Sequence, residues 1–202
     1  MLSIMSDAGT PKTLSRSPEL MSPQDTVLVV VDVQEKLMPL IAGAQRIVWN
    51  LRRLLDGAEA VGLKVLATEQ YPQGLGHTVP ELAGRLGDVP SKATFSCAGC
   101  EPFSKRLAES GADKVMVSGI EAHVCVQQTV LDLLACGYRV YLPVDAVGSR
   151  YAIDYETGLK RMESAGATLT TMESALFEWC QQSGTPTFKK ISALVRENPP
   201  EG

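Results

Sequence analysis

The sequence predicts one α/β domain in three layers, with helices on both faces of a mostly parallel sheet. From Thr26 onward, short β-branched runs alternate with longer amphipathic stretches, the order produced when parallel strands are joined by crossover helices. The clearest run, Val27-Leu28-Val29-Val30-Val31, is continuously apolar, as a strand buried on both faces of a parallel sheet must be. A length of 202 residues, 45% hydrophobic and 21% charged, is enough for one continuous core without disulfide or metal staples.

The elements follow in order. Residues 1–24 are rich in Ser, Pro, Met and small polar residues without helical or strand period, so they read as a flexible leader, leaving 25–202 as the folded domain. The first strand ends at Asp32. A helix over Ala44–Val61 places Ile47, Leu51, Leu54, Leu55 and Ala58 on one face, and Gly62 closes it. A second strand, about Leu63–Thr68, runs into a long loop marked by Pro72, Gly74 and Gly76. Further strands are expected near Lys114–Ser118, Arg139–Pro143 and Ala167–Thr171, and a helix opens at Pro102. After the third of these five strands, Val126, Thr129, Val130, Leu133 and Leu134 recur at the spacing of one buried helix face, with Gly137 as the stop signal. A short terminal helix spans Phe188–Glu197. In open parallel sheets ligands bind beyond the carboxyl ends of the strands, so Asp32, Glu69, the turn before Cys125 and Asp145 are expected to face one pocket.

Composition narrows the function. The net charge is −4 with scattered cations, which argues against a nucleic-acid surface, since such binding draws on clustered Lys and Arg. No apolar run approaches a membrane span. Small-molecule ligands fit better. The five cysteines, at 97, 100, 125, 136 and 180, form an odd count without repeated spacing, and the start lacks the layout of a secretory signal, so a reducing cytoplasm is expected. Asp7, Glu19 and the scarcity of arginine weigh against a transit peptide.

Three residues carry chemistry as a group. Cys125 falls where an apolar run breaks at Gly119 and helical period begins, hence in a helix's first turn, where unpaired amides and the macrodipole favour a thiolate. Asp32 closes five apolar residues, where an ionised carboxylate is costly unless paired. Lys92 lies in a segment with little other charge and offers that partner. A carboxylate can take the thiol proton while the lysine keeps the carboxylate ionised. Taken singly, Asp32 reads equally as a turn cap, Lys92 as a solvated side chain and Cys125 as core; only the combination is specific. Cys97-Ala98-Gly99-Cys100 has thioredoxin-like spacing but neither the topology nor two further metal ligands at a recognisable spacing. Cys136 and Cys180 fall on apolar helix positions and read as core.

The order Val-Val-Val-Asp32-Val-Gln34, then Lys92 with Phe95-Ser96, then Gly119-Ile120-Glu121-Ala122-His123-Val124-Cys125-Val126, resembles the isochorismatase-like cysteine hydrolase superfamily. Over about Thr26–Glu197, Thr68-Glu69-Gln70-Tyr71-Pro72-Gln73-Gly74-Leu75-Gly76, Ser149-Arg150, Thr170-Thr171-Met172-Glu173-Ser174 and Phe188-Lys189-Lys190-Ile191 look like its isochorismatase domain-containing subgroup, related to nicotinamidases. The resemblance implies a Rossmann-like α/β/α fold, Asp32 as general base, Lys92 as its partner and Cys125 as nucleophile. It also implies a non-proline cis peptide between Ile120 and Glu121, with the amides of Glu121 and Cys125 holding an oxyanion, and a homo-oligomer, dimer or tetramer.

The resemblance also has gaps. Where metal-dependent nicotinamidases carry Asp-x-His, this sequence has Glu69-Gln70-Tyr71, and with His77 as the one nearby histidine the donors fall short of a three-ligand site, so no metal and no other cofactor are expected. Vinyl-ether-cleaving isochorismatases lack the cysteine, so Cys125 implies carbonyl chemistry. Gln34, Tyr71 and Phe95 adjoin the motifs and are candidates for lining the substrate pocket. His123, two residues before Cys125, reads as a pocket or turn residue rather than a base. The expected activity is cleavage of a small amide or related carbonyl compound through a thioester. The alternative is a non-enzymatic ligand-binding or protein-interaction scaffold of the same fold.

Overall fold

The computed structural model describes residues 14–200. Its strands are β1 (Thr26–Val31), β2 (Lys64–Gln70), β3 (Ser91–Lys92), β4 (Lys114–Ile120), β5 (Arg139–Pro143), β6 (Val147–Gly148) and β7 (Thr168–Thr170). The helices are α1 (Ala44–Val61), the short α2 (Pro72–Leu75) and α3 (Pro80–Ala83), α4 (Glu101–Ser110), α5 (Gln127–Ala135), α6 (Ala152–Ser164), α7 (Met172–Cys180) and α8 (Pro186–Val195). The sheet is parallel throughout, in the order β3-β2-β1-β4-β5-β7, with β6 pairing beside the end of β4.

The alternation of side chains along a strand divides the core in two. In β1, Leu28 and Val30 enter the cluster formed with α1, α7 and α8, while Val27, Val29 and Val31 enter the one formed with α4, α5 and α6. Both faces of β1 are therefore covered, which is why its sequence is unbroken in apolarity. Helix α1 ends where expected: Gly62 adopts φ 70° and its amide donates to the Ala58 and Glu59 carbonyls.

Three expectations change. Residues 14–24 do not behave as a leader free of the domain: Met21 is fully buried, Arg16 donates to the Met21 and Glu178 carbonyls, and the Tyr141 hydroxyl and Lys114 ammonium donate to the Glu19 and Leu20 carbonyls. These residues fasten across the amino ends of the strands, using backbone acceptors that composition does not reveal. The rest of the stretch lies outside the described residues. Cys136 is exposed, because it ends α5 rather than facing the sheet, whereas Cys180 is buried. Strands β3 and β6, two residues each, carry no readable pattern.

The chain leaves β1 toward β2 on one side, and β4 enters on the other. That reversal falls between β1 and β4, and the carboxyl ends of such strands are where a doubly wound sheet holds ligands.

Candidate active site

Asp32 is the first residue past β1, held at φ 52°, with its amide donating to the Thr68 carbonyl. The positive φ turns the chain out of the sheet while the side chain remains fully buried. Lys92, at the end of β3, points back under the loop that follows. Its ammonium donates to Asp32 Oδ2 at 2.7 Å, Gln70 Oε1 at 2.7 Å, the Phe95 carbonyl at 2.8 Å and the Thr94 carbonyl at 3.1 Å. Both charged side chains are 0% exposed, so the pair has no solvent screening. Asp32 Oδ1 accepts from the Thr68 hydroxyl at 2.9 Å.

Cys125 lies in the turn that follows β4, and its thiol faces the same carboxylate closely enough for each group to shift the other's protonation. A close approach of β4 to β1 brings it there. Gly119 sits at φ 106° against β1, and a Cβ built on it would lie 2.1 Å from the Val31 carbonyl oxygen, so only glycine lets β4 approach the residue before Asp32. Next comes the cis peptide between Ile120 and Glu121, as expected. The chain then makes one π-type turn, Ala122–Val126, before α5. The Val124 and Val126 amides share the Glu121 carbonyl at 3.0 and 3.2 Å, while the Cys125 amide between them does not use that acceptor. Cys125 thus sits in a wide turn fused to α5, not in a regular first α-helical turn.

The electrostatics reverse one expectation. Burial, and then the Asp32 charge, push the Cys125 thiol far above its ordinary value, against the smaller opposing pull of Lys92. The helix-terminus argument for a resting thiolate is outweighed by desolvation and by a carboxylate closer than the helix dipole. Asp32 is also raised, first by burial, with Lys92 the largest opposing influence. At rest Cys125 is therefore held as the thiol, beside the Asp32–Lys92 pair.

The other predicted residues divide. Gln34 is fully buried but spends its amide on the backbone, donating to the Gln70 and Gly76 carbonyls at 3.0 and 2.6 Å and accepting from the Gln70 amide at 2.7 Å. It fastens the loop after β2 and has no amide group left to offer a substrate. Tyr71 and Phe95 are 60% and 52% exposed on the two loops that flank Lys92, so they rim the site instead of walling it. The His123 ring turns to Ser149 Oγ, 3.0 Å from Nδ1, and to Asp154, 3.8 Å from Nε2. That holds the turn carrying Cys125 to α6, whose Gly158 allows the close approach to the His123 backbone. Glu121 holds the Arg150 backbone and guanidinium at 3.1 Å in the same way.

Asp145 is engaged away from Asp32 and Cys125. Its carboxylate accepts from the Met172 amide at the start of α7, and its carbonyl accepts from Asn50. Glu69 closes the loop, accepting from the Thr78 amide and hydroxyl at 2.6 and 2.8 Å and pairing with the exposed His77 at 3.0 Å. Among the described residues, no three His, Cys, Asp or Glu side chains gather as a metal cluster. Sequence reading missed Thr68 and Gln70, which complete the shells of Asp32 and Lys92. Their place at the carboxyl end of β2, beside β1, is the signal that could have found them.

Comparison with known proteins follows the same lines. A family model, the isochorismatase domain, matches residues 26–174. Isochorismatase domain-containing protein 2A of Mus musculus is 38% identical over 180 residues, covering 89% of this chain and 86% of its own. The secreted isochorismatase effector Isc1 of Phytophthora sojae is 36% identical over 183 residues, with 87% of each chain covered. The structure of MAR1 ribonuclease from Caenorhabditis elegans superposes with a TM-score of 0.83 at 39% identity, over 90% of this chain and 94% of that one. With the family model over most of the chain and relatives matched across nearly the whole domain, the chain belongs to the isochorismatase domain family.

Proposed function

We propose that this hydrolase cleaves a small amide or related carbonyl compound, with Cys125 as nucleophile, Asp32 as base and Lys92 as the charge that keeps Asp32 ionised. One observation carries the reading: a fully buried carboxylate ion-paired with a lysine ammonium at 2.7 Å, with a cysteine thiol beside it. A structural ion pair has no need of a third, nucleophilic group. Cys125 Sγ attacks the carbonyl carbon as its proton passes to Asp32. The amides of Glu121 and Cys125 hold the oxyanion, each such donor being worth roughly 3 kcal/mol in comparable sites. The C–N bond breaks, the amine leaves with the proton from Asp32, and a thioester remains on Cys125. Water then attacks the thioester carbon, giving its proton through Asp32 to the departing sulfur, and the carboxylic acid is released.

The test is a small-amide panel read by ammonia release, with intact-mass detection of an acyl adduct. Cys125→Ala abolishes both signals if the reading is right; turnover that survives Cys125→Ala, or no adduct on Cys125 with any member, defeats it. A solved relative is called a ribonuclease, so an RNA substrate belongs in the panel. The net charge of −4 and a lysine already neutralised by Asp32 favour a carbonyl over a phosphodiester. A partner protein bound equally by wild type, Cys125→Ala and Asp32→Ala, with no turnover, would instead establish a scaffold. Five free cysteines support work in a reducing compartment such as the cytoplasm, and we expect a homo-oligomer. No helix among the described residues is long and apolar enough to cross a membrane.

A further inference from the structure

Cys97 is a second buried thiol at the site, fully enclosed, and the mechanism above gives it no task. It belongs to the turn that follows Lys92. Its Sγ lies 3.4 Å from Thr68 Oγ1, the oxygen that donates to Asp32 Oδ1 at 2.9 Å. A threonine hydroxyl has one proton. With that proton on Asp32, the contact with Cys97 is made by the S–H of Cys97, which donates to the Thr68 lone pair. The result is a directed chain from Cys97 through Thr68 to Asp32. Burial raises Cys97 to about 11, so its proton stays in place across the working range. Thr129 fixes the geometry: its hydroxyl accepts from the Cys97 amide at 2.9 Å and donates to the Cys125 carbonyl at 2.7 Å.

We propose that Thr68 is a positioning residue that, with its hydroxyl oriented by Cys97, keeps the buried Asp32 ionised and therefore able to take the Cys125 proton. The inference rests on the proposed function, since it needs Asp32 as the base. The titratable groups facing Asp32 are Lys92 from β3, Cys125 from the turn after β4, and Cys97 from the turn before α4. Lys92 supplies the attraction. Thr68 supplies the only donor to Oδ1 among the hydrogen bonds of the described residues, and removing it leaves that oxygen desolvated without a proton to hold.

The sign is fixed by which form the hydrogen bond favours. Thr68 stabilises the carboxylate, so its loss makes Asp32 harder to ionise and moves the acid limb of Cys125 reactivity to higher pH. Well above that limb Asp32 is ionised in either protein, and the rate is unchanged. The test is the rate at which iodoacetamide alkylates Cys125 in the full chain, read by peptide mass across pH, for wild type, Thr68→Val, Thr68→Ser and Cys97→Ala. Thr68→Val should slow alkylation about tenfold or more on the acid limb, as expected for one lost bond to a charged group, with the alkaline plateau retained. Thr68→Ser restores the wild-type profile, and Cys97→Ala shifts it the same way by less. If Thr68→Val does not fold, Cys97→Ala carries the test alone. A limb left in place by these changes, or a loss equal at every pH and not rescued by serine, overturns the inference. A wild-type rate with no acid limb removes Asp32 as the base, and the proposed function falls with it.

Discussion

Removing Lys92 and Asp32 singly and together separates what the buried pair does for stability from what it does for chemistry. Lys92→Met leaves the Asp32 carboxylate in a site with no exposure and only neutral neighbours, the Thr68 hydroxyl and the Cys125 thiol, a situation that costs about 3–5 kcal/mol in buried pairs. Asp32→Asn leaves the ammonium with three acceptors, Gln70 Oε1 and the Thr94 and Phe95 carbonyls, so its cost falls near the lower end, about 3 kcal/mol. Additivity predicts a double variant worse by about 6 kcal/mol or more. The structure predicts the reverse, since the double change removes both charges, and the residues of the orphaned carbonyls, Thr94 and Phe95, are exposed and can take water. Asp32→Asn/Lys92→Met should then lie within about 2 kcal/mol of wild type, a coupling of about 4 kcal/mol. Urea unfolding of the four proteins measures it, with Cys125 labelling as the chemical readout, which all three variants lose. The pH dependence of Lys92→Met adds a sign. Asp32 in the folded protein is raised above its unfolded value and rises further without Lys92, so the stability it contributes is complete at low pH, where it is protonated, and is lost as pH rises through its folded value. Additive single effects, or a Lys92→Met variant that gains stability as pH rises through that range, would show that the pair is not the coupled, unscreened unit described.

Three other changes test the frame around the site. Gly119→Ala sets a Cβ against the Val31 carbonyl at a φ that L-residues avoid, so it should cost more than about 2 kcal/mol by thermal unfolding and abolish Cys125 labelling; a folded, fully reactive Gly119→Ala would refute the close approach. Gln34→Leu keeps the volume but orphans the Gln70 amide and the Gln70 and Gly76 carbonyls, with an expected cost of about 2–3 kcal/mol and faster amide exchange over residues 70–78, while an exchange pattern like wild type would deny Gln34 its loop-fastening role. Lys114 pairs with Asp25 at 2.7 Å and, with neighbouring donors, holds it at about 2, so that contribution is present above the ordinary carboxylate value and lost as pH falls through about 2; Lys114→Met should lower stability near neutrality and flatten the acid end of the stability curve, and an unchanged acid end would count against the pair.

What could be read from the sequence is what periodicity and order encode. The unbroken run before Asp32, the face of α1 and its Gly62 stop needed no structure, because burial on two faces or on one stripe leaves a direct trace in residue order. The grouping of Asp32, Lys92 and Cys125 was legible only as order, and the resemblance supplied the proposed roles. What stayed hidden depends on contacts between distant segments. Thr68 and Gln70 matter because β2 lies beside β1 and β3, and nothing about a threonine in a strand announces a carboxylate neighbour. Gln34 looked available because its amide is polar, whereas the loop it holds consumes that amide. The resting state of Cys125 was misjudged for the same reason. A helix terminus is local and visible in sequence, whereas burial and an adjacent carboxylate come from the tertiary structure and are stronger at this range.

A thiol that rests protonated has a consequence for selectivity. An alkylating agent such as iodoacetamide needs the sulfur already ionised or deprotonated as it reacts, and gives the site nothing in return for the charge it must create. On the proposed mechanism a carbonyl differs, because attack on it generates an oxyanion beside the turn amides while the proton is held by Asp32, so charge created at one point is stabilised at another. Cys136 is exposed and has no such arrangement. Its reaction with either reagent reflects access alone. Iodoacetamide should therefore label Cys136 ahead of Cys125, and a small aldehyde, which forms a reversible hemithioacetal, should reverse that order in wild type but not in Asp32→Asn. Competition between the two reagents, followed site by site by mass spectrometry, reads the ratio directly. An order that is the same for both electrophiles would mean that Cys125 is governed by exposure as Cys136 is, and that the buried carboxylate beside it does not take its proton.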